Sequence, residues 1–250
     1  MLEQPEISIV IPALNEEDNI DLLVEQVKSA IADQGISLEM IVVNDGSTDQ
    51  TLAKLQAVAK THPWVKALHR DKAQGQSAAM FAGIQFATGK YIAMLDADLQ
   101  NDPADIPNMY KEMCKGNVDL VQGDRSQNRN DNCIRKMSSW VGRTARKLIL
   151  KDAVRDTGCS SRLIKASFAK KLPLQFKGMH RFIPIYSQML GARIVQVSVN
   201  HRQRHAGVAK YGVMNRAFVG LVDCFAMRWM LRRHRDVTAI DATDGHGENK

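Results

Sequence analysis

A chain of 250 residues is long enough to bury a full core in one large domain or two small ones. Its 44% apolar and 24% charged residues are ordinary for a globular protein and exclude a disordered, collagen-like or coiled-coil chain. Residues 1–100 hold 14 acidic and 7 basic residues, whereas the rest has a net charge of +14, which favours an anionic partner such as a phosphorylated ligand, a lipid surface or a nucleic acid.

The first 100 residues alternate short β-branched runs with helical segments. Runs that stop at Pro, Gly or acidic residues predict strands at residues 7–11, 38–43, 65–69 and 91–95. The segments between them predict helices, one of about 15 residues from Asn15 and two more at residues 51–61 and 76–87. This order predicts an α/β fold, a mostly parallel sheet with helices on both faces.

Polar residues follow three of the predicted strands, at positions 12–16, 44–47 and 96–100. In a parallel sheet the carboxyl ends of the strands share one edge, and ligands bind beyond that edge. We therefore expect these segments to lie along one rim. Taken alone, the segment Asp45-Gly46-Ser47 is equally consistent with a turn that leads into a helix.

Asp96, Asp98 and Gln100 form the most specific of these polar clusters. Two carboxylates at the end of a buried strand repel each other unless a cation lies between them. Oxygen ligands at alternating positions suit Mg²⁺ or Mn²⁺, which commonly bridges to substrate phosphates. The cluster predicts a divalent metal site, with a solvated loop as the alternative.

The second half of the chain carries the positive charge. After a predicted strand at residues 118–123, residues 125–171 hold 13 basic residues and three acidic ones. Within this stretch, residues 134–148 place apolar side chains at steps of three and four, with Arg135 and Arg146 on the other side. A second such segment, residues 213–233, aligns Phe218, Val222, Phe225 and Trp229. Each pattern is typical of a helix on a membrane surface, or of a core helix with one solvated face.

Three motifs in this order resemble the family 2 glycosyltransferases. They are Ile-Pro-Ala-Leu-Asn-Glu-Glu from Ile11, Val-Asn-Asp-Gly-Ser-Thr-Asp from Val43 and Asp-Ala-Asp-Leu-Gln from Asp96. Within the family the chain looks most like the enzymes that transfer sugars to dolichyl or polyprenyl phosphate, and the resemblance covers residues 6–235. It implies a GT-A fold, a nucleotide-sugar donor and Mg²⁺ or Mn²⁺.

The resemblance also implies roles for individual residues. Those of the metal site are Asp96, Asp98 and Gln100, and those of the donor site are Pro12, Asn15, Glu16, Asn44, Asp45 and Asp96. Asn44 stands where the family often has Asp, and Leu14 where it often has an aromatic ring. The residues matched to the acceptor phosphate are Arg125, Arg135 and Ser139, and those of a loop near the diphosphate are Arg204 and Lys210. On this basis the catalytic residues are Asp98, Arg125 and Arg135.

The implied reaction is an inverting transfer of a sugar from GDP-mannose or a UDP-sugar to a polyprenyl phosphate. A phosphate monoester with a second pKa near 6 is mostly ionised at pH 7 and attacks without a strong base. A close alternative is transfer to a hydroxyl of a soluble or cell-envelope saccharide, which needs a base such as Asp124 or Asp156. A distant alternative is a nucleic-acid-binding protein, but the sequence has no helix-turn-helix or zinc-finger motif that supports it.

These features suggest a glycosyltransferase domain at residues 1–212, an amphipathic membrane-surface helix at 213–236 and a flexible tail at 237–250. Four scattered cysteines without a C-x-x-C pair favour a reducing compartment. We expect neither a signal peptide nor a spanning helix, because the N-terminus lacks a long apolar region and no apolar stretch reaches about 18 residues. The expectation is a cytoplasmic protein that binds an anionic membrane surface peripherally, at its inner face, and no nucleic acid.

Overall fold

The structure, a computed structural model, describes residues 4–31, 34–126, 146–152, 154–202 and 213–235, with side chains in the last range from residue 219 onward. The strands are β1 (Ile7–Ala13), β2 (Leu38–Asp45), β3 (Val65–Arg70), β4 (Tyr91–Met94), β5 (Leu120–Asp124), β6 (Arg162–Lys165) and β7 (Ile194–Ser198). The helices are α1 (Ile20–Ile31), α2 (Thr51–Thr61), α3 (Gln76–Phe86), α4 (Ile106–Cys114), α5 (Ala166–Ala169), α6 (Ile183–Met189) and α7 (Val213–Arg233), with 3₁₀ turns at Pro103–Asp105 and Met179–Phe182.

The seven strands form one sheet in the order β3-β2-β1-β4-β6-β5-β7. β1 is parallel to both β2 and β4, and β5 is parallel to β7. β6 runs antiparallel to both of its neighbours, β4 and β5. The mostly parallel sheet that the sequence predicts is thus confirmed, and the four predicted strands of the first 100 residues are its strands β1 to β4.

Helices cover both faces of this sheet, because side chains alternate along each buried strand. Ile9 and Ile11 of β1 pack in one core with α1, α2 and α4, whereas Val10 points into a second core with α3, α6 and α7. Full burial of each such aliphatic side chain contributes roughly 1.5–3 kcal/mol. Two apolar layers therefore fix the sheet and leave its rim to the polar segments.

The first helix begins at Ile20, later than the predicted start at Asn15. Asn15 has a φ of 51°, which lies outside the right-handed helical region. The backbone N–H groups of Asn15 and Glu16 donate instead to Ser47 and Thr51, both at 2.9 Å. Contacts with the neighbouring loop therefore override the local preference of this acidic segment for a helix start.

The predicted faces of the first amphipathic segment are wrong at its described end, residues 146–150, which are helical. Arg146 was expected on the solvated side but is buried, with its Nε 2.7 Å from Asp152 and its guanidinium 4.8 Å from the ring centre of Phe182. Leu148, expected on the apolar side, is 76% exposed. A guanidinium group can be buried when a carboxylate and an aromatic ring are its partners. Because Arg146 takes the core side of this segment, Leu148 lies on the solvent side.

The helix α7 packs against the second core through Cys224 and Met227. Its opposite side exposes Val222, Phe225 and Trp229, three members of the stripe predicted from the sequence. None of the helices in the described ranges combines the length and the apolar composition needed to cross a membrane.

Candidate active site

The loops after β1 and β2 are joined by hydrogen bonds between side chains and backbone. Asn15 donates its N–H to Ser47 Oγ at 2.9 Å and accepts the N–H of Thr48 on Oδ1 at 2.9 Å. Glu17 accepts the N–H of Gln50 on Oε2 at 2.7 Å. Because parallel strands bring their carboxyl ends together, two of the three predicted rim segments form one connected surface.

Asn44 and Asp45 lie at the end of β2 and are both buried. The Asn44 amide contacts His69 Nδ1 at 3.0 Å and accepts the N–H of Ser47 at 3.2 Å. Asp45 accepts Arg70 Nη1 at 2.9 Å and the N–H of Gly75 at 2.7 Å. In this structure both predicted donor-site residues are held by the end of β3 and by residues of the loops after β2 and β3.

Gly46 explains how the loops around Asp45 pack so closely. Its φ is 71°, and a Cβ at this position would come within 2.6 Å of the Ala73 backbone nitrogen. Only glycine satisfies both conditions. The Asp-Gly-Ser segment is therefore a turn that also brings residues 72–75 against the rim.

Asp96 lies between two hydrogen-bond donors just beyond β4. Its Oδ1 accepts from Gln76 Nε2 at 2.7 Å, and its Oδ2 accepts from Ser160 Oγ at 2.5 Å. Burial raises the pKa of the Asp96 carboxyl; the Ser160 bond opposes this rise, and the nearby charge of Asp98 adds to it. A carboxylate in this environment is stabilised by a cation.

Asp98 and Gln100 lie on a tight turn about Leu99, a buried residue with a φ of 61°. Asp98 accepts the backbone N–H of Gln100 at 3.2 Å. A positive φ at a non-glycine residue costs about 1–3 kcal/mol and is most often retained at functional sites. The strain therefore supports a functional turn.

The oxygen donors of this turn fit Mg²⁺ or Mn²⁺ when phosphate oxygens complete the coordination. No group of three or more His, Cys, Asp or Glu side chains suited to a metal occurs in the described ranges. Mg²⁺ commonly takes only one or two carboxylates and fills its other positions with water and substrate phosphates. The charge of Asp98 raises the pKa of the Asp96 carboxyl. A pair of neighbouring carboxylates of this kind is consistent with such a metal site.

Arg125 follows β5 and forms a two-pronged ion pair with Asp156. Its Nε and Nη2 lie 2.8 and 3.1 Å from the two carboxylate oxygens, and both side chains are largely buried. Gly158, in the same loop as Asp156, also lies against this guanidinium, because a Cβ at position 158 would be 3.3 Å from Arg125 Nη2. Ser160, two residues further on, donates to Asp96. Arg125 thus belongs to the same site as the acidic turn, with one edge of its guanidinium engaged by Asp156.

Three further residues of this site were missed by the sequence analysis. They are Gln76, Ser160 and Arg162. Arg162 is 2% exposed, donates to the carbonyl oxygens of Cys159 and His180, and forms no ion pair within 4 Å with a described carboxylate. Burial lowers its pKa to about 10. The sequence signal for Ser160 and Arg162 was their place in residues 156–162, a segment that resembles an Asp-x-x-Gly-Phe-Arg stretch of the glycosyltransferase family but was given no role in the site.

The remaining predicted site residues lie outside the described ranges: Arg135, Ser139, Arg204 and Lys210. Pro12 is part of β1, and Glu16 accepts from Asn19 Nδ2 at 2.7 Å. The structure therefore brings Asn15, Glu16, Asp45, Asp96 and Asp98 to one rim, as expected from the strand order.

A sequence model described as Glycosyl transferase family 2 matches residues 8–172. The chain belongs to this family. Over 230 residues it is 36% identical to a dodecaprenyl-phosphate galacturonate synthase of Rhizobium johnstonii, covering 91% of this chain and 68% of that protein. Over 209 residues it is 32% identical to an undecaprenyl-phosphate 4-deoxy-4-formamido-L-arabinose transferase of Photorhabdus laumondii, covering 83% and 63%. The chain spans about two thirds of the length of these curated relatives.

Solved structures of other glycosyltransferases share the fold of this chain. A glucosyl-3-phosphoglycerate synthase of Mycobacterium tuberculosis, in complex with Mn²⁺, UDP and phosphoglyceric acid, superimposes with a TM-score of 0.67 at 19% identity. The alignment covers 93% of this chain and 80% of the other. The GT-A fold that the resemblance implied is therefore confirmed. The assignment of the chain as a glycosyltransferase rests on the family match and on the curated relatives.

Proposed function

We propose that this glycosyltransferase moves a sugar from a nucleotide-sugar donor to the phosphate of a polyprenyl lipid. The observation that carries the proposal is that one loop, residues 156–160, contacts both a cation, Arg125, and the acidic residue Asp96. A reaction between a diphosphate and a phosphate needs positive charge beside both anions. The two relatives support the same acceptor class, because their names contain dodecaprenyl phosphate and undecaprenyl phosphate.

On the donor side, Asp98 and Gln100, with Asp96 beside them, would hold a divalent ion. When bound, Mg²⁺ or Mn²⁺ offsets the negative charge of a diphosphate leaving group. The nucleotide side of the site would be formed by Pro12, Asn15, Glu16, Asn44 and Asp45. Ser47 links Asn15 to Asn44 by hydrogen bonds, and Asp45 accepts the N–H of Gly75, which supports a pocket of fixed shape.

On the acceptor side, Arg125 would orient the lipid phosphate, joined by Arg135 and Ser139 as the resemblance implies. The loop that carries Arg204 and Lys210 would lie near the diphosphate. An oxygen of the ionised phosphate attacks the anomeric carbon while the bond to the diphosphate breaks, which inverts that carbon and releases a nucleoside diphosphate. The phosphate already carries its charge at pH 7, so the step needs no proton acceptor.

Transfer to a sugar hydroxyl is the weaker alternative, because it requires a general base. Asp156 is a poor proton acceptor here, since Arg125 engages both of its oxygens. Asp124 is buried and accepts the N–H of Ser126 at 2.9 Å. The contacts of both candidate bases therefore favour a phosphate acceptor.

Turnover with a panel of donors tests this function. We expect the purified protein to transfer sugar from a GDP- or UDP-sugar to a short polyprenyl phosphate in the presence of Mg²⁺ or Mn²⁺, detected as a glycolipid and a released nucleoside diphosphate. A matched polyprenol without the phosphate is the control. Transfer to the alcohol or to free saccharides, but not to the phosphate, would contradict the proposal and indicate a hydroxyl acceptor.

A lipid acceptor would also require the protein to reach a membrane, and α7 offers a surface for it. Phe225 and Trp229 are 59% and 62% exposed beside Val222, while Arg232 and Arg233 are exposed near the end of the same helix. Apolar side chains flanked by arginines suit an anionic lipid surface. We therefore infer peripheral attachment through residues 213–236, at the inner face of the membrane, with residues 1–212 as the catalytic domain.

The double variant Phe225→Ser, Trp229→Ser is expected to bind vesicles of mixed neutral and anionic lipid at least about tenfold more weakly, because it removes the two exposed aromatic side chains of α7. Co-sedimentation measures the bound fraction, which should also fall as salt rises above 0.15 M. Leu22→Ser, on α1 at the other face of the sheet, is the control. Equal loss in both variants, or none in the double variant, would refute the assignment of this surface.

A further inference from the structure

Residues 74–77 connect the two acidic parts of the rim. The backbone N–H groups of Gln74 and Gly75 donate to Asp45, at 3.2 and 2.7 Å. Gln76, the first residue of α3, donates its side-chain amide to Asp96 at 2.7 Å. A shift of the first turn of α3 would therefore disturb both carboxylates together.

The next residue, Ser77, is tied twice to a residue 103 positions away, His180. Ser77 Oγ lies 2.7 Å from His180 Nδ1 and accepts the backbone N–H of His180 at 3.2 Å. The hydroxyl is buried, since Ser77 is only 4% exposed. The bond to Nδ1 forms with either tautomer of the His180 ring, because a hydroxyl can both donate and accept. Two bonds between one pair of residues fix both distance and direction.

Two buried arginines hold the turn that carries His180. Arg162, buried beside the acidic turn, donates its Nη1 to the His180 carbonyl oxygen at 2.9 Å. Arg146 donates to the carbonyl of the following residue, Arg181, at 3.0 Å. The imidazole is therefore presented to α3 by a backbone that two buried guanidinium groups hold in place.

We propose that His180 is a positioning residue that acts through Ser77 on the first turn of α3, and so keeps Gln76 against Asp96. The inference rests on the proposed function for its activity readout. It assigns no contact between His180 and substrate. A displacement of about 1 Å near reacting groups is enough to cost up to a hundredfold in rate, so loss of this bond is expected to act on turnover more than on folding.

Three variants at position 180 test which ring atom matters. His180→Asn places its amide as far from Cα as Nδ1, so it should keep the bond to Ser77 and stay within about threefold of wild type in kcat/KM. His180→Gln places its amide at the distance of Nε2 and should fail like His180→Ala, which we expect to lose about ten- to a hundredfold, mainly in kcat.

A double variant tests whether the two residues act as one unit. If His180 works through Ser77, the combination Ser77→Ala, His180→Ala should be no slower than the slower single variant, whereas independent effects would multiply. Ser187→Ala is the matched control, because this buried serine has a hydroxyl without a hydrogen-bond partner in the described chain and should keep normal turnover.

Hydrogen exchange measured by mass spectrometry gives a readout that does not depend on the reaction. His180→Ala and Ser77→Ala should speed exchange in residues 74–80, while His180→Asn and Ser187→Ala should not. If wild type has no transferase activity but the exchange pattern holds, the proposed function fails and the positioning role stands. Rescue by Gln instead of Asn, multiplicative loss in the double variant, or unchanged exchange would overturn the role of His180.

Discussion

Asp98→Ala is expected to lower Mg²⁺- or Mn²⁺-dependent sugar transfer by about a thousandfold or more while the protein stays folded. Asp98 is only half-buried and accepts the N–H of Gln100 within its own turn, so the substitution leaves the two cores intact. Initial rates over a range of metal concentrations measure the effect. Raising the metal concentration should not restore the wild-type rate, because the substitution removes one ligand of the metal and does not merely lower the fraction of protein with metal bound.

The control for this prediction is Asp21→Ala, an aspartate on α1 whose carboxylate lies 3.3 Å from Lys54 on the surface. It changes the net charge by the same amount and should keep normal activity, because surface ion pairs contribute about 0–1 kcal/mol. Near-normal transfer by Asp98→Ala in the presence of a chelator would show that the acidic turn does not hold the metal.

Arg125→Ala should reduce kcat/KM for polyprenyl phosphate by about a hundred- to a thousandfold, since it removes charge-assisted hydrogen bonds to an anion. The variant also leaves Asp156 without its guanidinium, next to where the acceptor phosphate would lie. Binding of UDP or GDP with Mg²⁺, measured by calorimetry, should change little. An equal loss of nucleotide binding would move Arg125 to the donor side.

A second variant separates the two roles that Arg125 can have. If the arginine only neutralises Asp156, then Arg125→Ala combined with Asp156→Ala should recover most of the activity. If it also binds the acceptor phosphate, the double variant stays slow. Arg125→Lys should rescue only in part, because an ammonium group cannot match the two-pronged contact of 2.8 and 3.1 Å.

The sequence predicted the parallel half of the fold well, because β1, β2 and β4 are buried on both sides and are rich in apolar residues. The edge strand β3 is only partly buried and contains both apolar and polar residues. It did not reveal β6, a strand of four residues that begins with a buried arginine, Arg162. The antiparallel pairing of β6 with β4 and β5 arises from distant segments, which no local pattern records. The rotation of Arg146 into the core has the same origin, since its partners are Asp152 and Phe182.

For the candidate site, the sequence predicted the rim residues because motif order and strand order together bring them to one edge. It missed the residues that hold them, such as Gln76 and Ser160, which contact Asp96 from 20 and 64 positions away. These are single polar residues in ordinary helical and loop contexts, so only the folded chain identifies them. The bonds of Asp45 to Arg70 and Gly75 are likewise tertiary, since these residues lie 25 and 30 positions away along the chain.

The hydrogen bonds between the loops after β1 and β2 have a thermodynamic consequence for the first ligand to arrive. Because Asn15, Ser47 and Thr48 are already bonded to one another, that part of the rim loses little conformational entropy when it is occupied. The ordering cost, which reaches about 0.5–1.5 kcal/mol for each side chain immobilised at binding, was met during folding. Mutations that cut these bonds should therefore weaken association through entropy, with a calorimetric enthalpy close to that of the intact protein.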